Sequence, residues 1–154
     1  MGCDYTCFLV KSDNVKSFNY ENWFTVNRPV FPKVDDDKDA DCWEPYFGDG
    51  SLLWHLFDYC KLPKLRETNN DAWIVVEINK ENIEVLLSNC RKLIDLSLDI
   101  ETDEDFNNSV FSDMFRWWNE ETPEDLCTIF RNLRSTKEIL KDHPDYSMVI
   151  NINY

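Results

Sequence analysis

The side chains able to do bond-making chemistry are few. The chain has two histidines, His55 and His143, and six cysteines, Cys3, Cys7, Cys42, Cys60, Cys90 and Cys127. His55 beside a carboxylate such as Asp4 or Asp58 is a conceivable proton-transfer pair. No motif supplies the rest of a catalytic set, and among 30 acidic residues a carboxylate near a histidine is expected by chance. None of the cysteines forms C-x-x-C, and neither histidine has a metal-spaced partner, so a zinc site is not expected. Asp37, Asp39 and Asp41 match the first three ligand positions of an EF-hand loop. Cys42 then stands where the turn glycine belongs and Gly48 where the bidentate glutamate belongs, which argues against calcium. Three glycines in the whole chain leave no phosphate-cradling loop. The reading is a non-enzymatic protein with no catalytic residue, no metal and no cofactor.

Charge points to a partner instead. The 154 residues carry 30 acidic and 16 basic side chains, a formal net charge of −14. That balance opposes direct nucleic-acid binding through a basic patch and opposes an anionic membrane surface. It favours a basic protein surface, such as that of a nuclease or effector complex, with long-range attraction raising the on-rate. Two acidic runs are the candidate contacts. The first is Asp35, Asp36, Asp37, Asp39 and Asp41, followed by Trp43 and Glu44. The second is Glu101, Asp103, Glu104 and Asp105, followed by Trp117 and Trp118. The tryptophans would be the aromatic anchors that charge alone does not provide. The plain alternative for both runs is a solvated loop. A different class of function is a small-ligand or nucleotide-binding module, in which some of the six tryptophans and six tyrosines stack a base. Its anion would need local cations, and Lys61, Lys64 and Arg66 are the only dense basic cluster before residue 131.

The elements that position these residues follow from periodicity. Ile83, Leu86, Leu87, Cys90, Leu93, Ile94 and Ser97 recur at the spacing of one helix face, predicting a helix over 80–98 with Asn79 as N-cap. AWIVVEI, residues 72–78, reads as the strand that feeds it. Residues 2–10 alternate with both faces largely apolar, predicting a strand inside the sheet. Leu52, Leu53, Leu56, Phe57 and Cys60 predict a helix over 51–60. Thr122 as N-cap, Pro123 at the first position and an apolar face of Leu126, Ile129, Phe130, Leu133 and Leu140 predict a helix over 123–142. Residues 145–154 alternate as a strand with one apolar and one mixed face. A short edge strand within 23–31 is the candidate fourth strand. Residues 61–71 read as a connection, 101–109 as an exposed acidic loop and 110–119 as a short helix or irregular aromatic segment.

The fold expected is α+β in two layers: a small mixed sheet of three to four strands with three to four helices mainly on one face, one acidic domain over 1–154. No apolar run approaches the ~18–20 residues of a membrane span. The first residues lack a secretory-signal pattern. Gly2 and Thr6 match a short myristoylation pattern, but residues 2 and 3 also read as the start of the first strand. Cysteines dispersed on apolar faces suit a reducing, cytoplasmic compartment.

Met1, Gly2, Asp4 and Tyr5, then Trp54 and His55 on a short helix, then AWIVVEINKENIEVLLSNCRKLI, and finally the helix from Glu124 to Leu140 followed by DYSMVININY, carry a resemblance of layout. In that order the chain resembles a group of small phage and prophage proteins that open with a Met-Gly-Leu-Asp-Met-Tyr type strand. Cys3 replaces the aliphatic residue of that opening. The resemblance implies a mobile-element origin and transfers no catalytic residue. With the charge, it implies an inhibitor of anti-restriction, anti-CRISPR or toxin-immunity type, acting as a nucleic-acid mimic in the cytoplasm of the host cell.

Overall fold

The computed structural model describes residues 4–17, 50–67, 73–114 and 122–153. Four strands form one sheet: β1 (Asp4–Lys11), β2 (Arg66–Glu67), β3 (Trp73–Ile78) and β4 (Tyr146–Asn153). Five α-helices accompany it: α1 (Gly50–Tyr59), α2 (Ile83–Leu98), α3 (Asp103–Asn107), α4 (Phe111–Met114) and α5 (Thr122–Asp142). A 3-10 helix over Ser12–Ser17 follows β1. The strand order is β1-β4-β3-β2 and each neighbouring pair is antiparallel. The class is therefore α+β, as read from the sequence, with the described strands forming an antiparallel sheet where a mixed one is expected.

The C-terminal strand is the spine of the sheet. Ile150 of β4 lies opposite Cys7 on one side and Val76 on the other, and Met148 lies opposite Leu9 and Ile78. These rows face the helices. Cys7, Leu9, Ile74, Val76, Ile78, Met148, Ile150 and Ile152 join one buried cluster with Leu53, Leu56 and Phe57 of α1, Leu86, Cys90 and Leu93 of α2, and Ile129 and Leu133 of α5. Fully burying one such aliphatic or aromatic side chain stabilises the fold by about 1.5–3 kcal/mol. The helical spacing of the apolar residues is what brings them onto one face, so period and packing agree.

The other face of the sheet is also buried. Phe8, Val10, Val75 and Val149 cluster with Val15 of the 3-10 helix, and Leu65 packs against them. This corrects the placement of β1. Its two apolar faces predict an interior strand, but among the described strands β1 is at the edge, paired with β4 alone. The physical reason is that burial of both faces and hydrogen bonding along both sides are independent conditions. Among the described residues a fourth strand occurs that the sequence does not suggest. The two-residue β2 pairs Arg66 with Val75 and Glu67 with Ile74, which corrects the reading of 61–71 as a connection alone. The strand expected within 23–31 lies outside the described residues.

Local chemistry sets the helix ends. Asn79 accepts N–H groups of Glu81 and Asn82 on its Oδ1, at 3.1 and 2.9 Å, as an N-cap would. It does so in a turn ahead of the helix, which starts at Ile83 and not at residue 80. Asn82 returns the favour, accepting the Asn79 N–H at 2.9 Å and donating to the Glu77 carbonyl at 2.8 Å. The strand-to-helix junction is thus fixed by two interlocked amides. At the end of α1, Lys61 adopts φ 55° while the Leu62 N–H donates to the Phe57 carbonyl and the Lys61 N–H to the Asp58 carbonyl. This is a Schellman ending with lysine in the left-handed position that glycine usually fills.

Most buried polar groups are satisfied. The Ser97 hydroxyl donates to the Ile94 carbonyl at 2.6 Å and the Thr136 hydroxyl to the Asn132 carbonyl at 2.8 Å, the back-bonding that lets hydroxyls sit inside helices. Ser147 shares a 3.0 Å hydroxyl contact with Ser12. Asn151 Oδ1, buried on the second face of the sheet, and His143 Nε2 are exceptions, with no hydrogen-bond partner among the described residues.

Candidate functional site

The acidic segment after α2 is ordered by its own side chains. Thr102 and Asp105 form a capping box: Thr102 Oγ1 accepts the Asp105 N–H at 3.1 Å, and the Asp105 carboxylate accepts the Thr102 N–H at 2.9 Å. The same carboxylate accepts the Thr102 hydroxyl at 2.8 Å and the Glu101 N–H at 3.1 Å. These bonds, the Thr102 hydroxyl first, hold the Asp105 carboxyl below its ordinary value. The loop expected over 101–109 is therefore corrected to a capped helical turn, α3. Its acidic residues sit at the positive end of a helix dipole, which favours the turn over a loop.

Glu101, Asp103, Glu104 and Asp105 are all exposed, and so are Asp95, Asp99 and Asp113. No Lys or Arg occurs between Lys92 and Arg116. Two apolar side chains stand among these carboxylates. Leu98 is 65% exposed and Leu96 is 39% exposed, each at the C-terminal end of α2. The apolar face of α2 is already used by Leu86, Cys90 and Leu93, so these leucines have no core to enter. Sequence reasoning named the 101–105 carboxylates but missed Asp95, Asp99, Asp113 and both leucines. The signal for the acids was the absence of basic residues between Lys92 and Arg116. For the leucines it was their position off the apolar stripe of α2.

The remaining candidates divide. Asp35, Asp36, Asp37, Asp39, Asp41, Trp43, Glu44, Trp117 and Trp118 lie outside the described residues, as does the partial EF-hand pattern. The basic cluster of Lys61, Lys64 and Arg66 is partly committed. Lys64 Nζ is 2.6 Å from the Asp58 carboxylate and 5.7 Å from the centre of the Trp54 ring. Asp58 is thereby engaged with a lysine. His55 is stacked on Trp54, ring centres 4.9 Å apart and planes 11° from parallel.

Cys7, Cys60, Cys90 and Cys127 are all thiols. Cys90 is fully buried between α2 and α5 and its thiol donates to the Leu126 carbonyl at 3.5 Å. Burial, with a smaller contribution from the neighbouring Cys127 and Cys60, pushes its thiol up to about 12, and burial pushes Cys60 up to about 11. Thiols shifted upward are poor nucleophiles and poor metal ligands at neutral pH. Among the described residues, no group of three or more His, Cys, Asp or Glu side chains is placed to hold a metal ion, and no helix is long and apolar enough to cross a membrane.

No family model, curated protein or solved structure matches the chain.

Proposed function

We propose that the chain is a non-enzymatic acidic binding protein that docks on a basic surface of a target protein. One observation carries this reading: seven exposed carboxylates lie between Asp95 and Asp113 with no intervening cation, and the exposed Leu98 falls within the same stretch. Carboxylates alone give attraction and a fast encounter, and a partner's lysines and arginines are what they attract. An exposed leucine among them adds the desolvated contact that makes an encounter last. The capping box supports the same reading, since a pre-ordered turn loses less conformational entropy on docking. A surface that normally holds nucleic acid is the kind of basic target that fits. The reading of the chain as an inhibitor encoded by a mobile element rests on the layout resemblance and the charge together.

The test is capture from a lysate of the source cell at low and high salt, using the wild-type chain and two variants. One variant carries Glu101→Gln, Asp103→Asn and Glu104→Gln, leaving the Asp105 cap intact. The other carries Leu98→Ser. A basic protein retained by the wild type at low salt, released at high salt and lost from both variants supports the proposal. Equal retention by all three chains contradicts it.

A further inference from the structure

The acidic chain carries a locally basic groove. It lies between α2 and α5, has a volume of about 870 Å³, and is lined by Arg91, Arg131, Arg134 and Lys137. The two helices run antiparallel there, since Glu84 pairs with Lys137 while Arg91 lies against Phe130. Four cations face only two carboxylates in its lining, Glu84 and Glu138, in a chain whose net charge is −14. Lys137 is neutralised by Glu84. Arg91, Arg131 and Arg134 make no ion pair among the described residues.

We propose that this groove binds a small phosphorylated ligand, with Arg91, Arg131 and Arg134 as its anion contacts. Three guanidinium groups offer forked donors that match phosphate oxygens two at a time. Arg131 and Arg134 are one helical turn apart on α5, and Arg91 approaches from α2. The Arg91 contact with the Phe130 ring is a cation–π contact, which orients the guanidinium without using its N–H donors. The hydroxyl of Ser88, also in the lining, is exposed and able to donate to a further oxygen, whereas that of Ser135 donates to the Arg131 carbonyl at 3.2 Å. The volume is within the ~300–1,000 Å³ of small-molecule sites. The lining is mainly polar, which suits a ligand rich in charge over an apolar one. This site is separate from the acidic segment: Arg91 is seven residues before Leu98, about 10 Å along the helix axis. The two proposals therefore stand or fall independently.

The experiment is titration of the ¹⁵N-labelled chain with pyrophosphate, ATP and a polyglutamate peptide, followed by amide chemical shifts at low salt. The wild type is compared with the double variant Arg131→Gln, Arg134→Gln, whose side chains are exposed and whose folding is checked by its melting temperature. The expected result is saturable shifts on α2 and α5 with pyrophosphate and with ATP, at least tenfold weaker in the double variant. Tighter binding of ATP than of tripolyphosphate, added as a fourth probe, identifies a nucleotide, and equal binding identifies the phosphates alone. Absence of saturable shifts with both phosphates overturns the proposal. So does binding that the double variant leaves unchanged, or binding of the polyglutamate peptide alone.

Discussion

The guanidinium of Arg91 on α2 lies over the ring of Phe130 on α5, its central carbon 5.1 Å from the ring centre. Phe130 is partly buried against the main core, so one side chain links the packed interior to a charged surface group. The pair also fixes how the two longest helices face each other. A double-mutant cycle of Arg91→Gln and Phe130→Leu, read by urea unfolding, is expected to give a coupling of about 0.5–1 kcal/mol. Strict additivity would mean that the contact contributes nothing to stability.

Cys90 gives a prediction at alkaline pH. Its thiol is raised from an ordinary value of 9.0 to about 12, so the folded state holds the proton more tightly than the unfolded chain. The associated stability is present below 9.0 and is lost as pH rises from there toward about 12. Unfolding free energy should fall across this window, and Cys90→Ala should make the fall shallower at the cost of a lower baseline. Iodoacetamide at pH near 8 should leave Cys90 unmodified in the folded protein and alkylate it in denaturant, as read by peptide mass.

The Thr102–Asp105 box titrates in the opposite sense. The Asp105 carboxyl is lowered from 3.8, chiefly by the Thr102 hydroxyl. Its support for α3 is therefore present above 3.8 and lost as pH falls through the lower folded value. Carboxyl titration by NMR should place the Asp105 midpoint below 3.8, and Thr102→Ala should move it upward while amide exchange in residues 103–107 quickens. An unmoved midpoint would mean that the hydroxyl is not what lowers it.

Long apolar stripes made much of the architecture legible. α1, α2 and α5 each carry several residues at helical spacing, and β3 and β4 are dense in β-branched side chains. The two-residue β2 left no period to read, and the doubly apolar β1 disguised an edge position. The Thr102-x-x-Asp105 pattern was present, but Glu101, Asp103, Glu104 and the turn residues of 107–109 beside it resembled a loop. At the acidic segment the carboxylates of 101–105 were visible in advance, whereas the exposure of Leu98 depends on which side of α2 the core takes. The basic groove was hidden because Arg91 and Arg134 come together only when α2 and α5 pack.

The docking proposal is tested most directly by the salt dependence of affinity for the captured basic partner. The wild-type chain should bind with an affinity that falls steeply as salt rises, and the variant carrying Glu101→Gln, Asp103→Asn and Glu104→Gln should bind more weakly with a flatter salt slope and a slower on-rate. An affinity and a slope that remain those of the wild type would contradict the assignment of this acidic segment as the working surface.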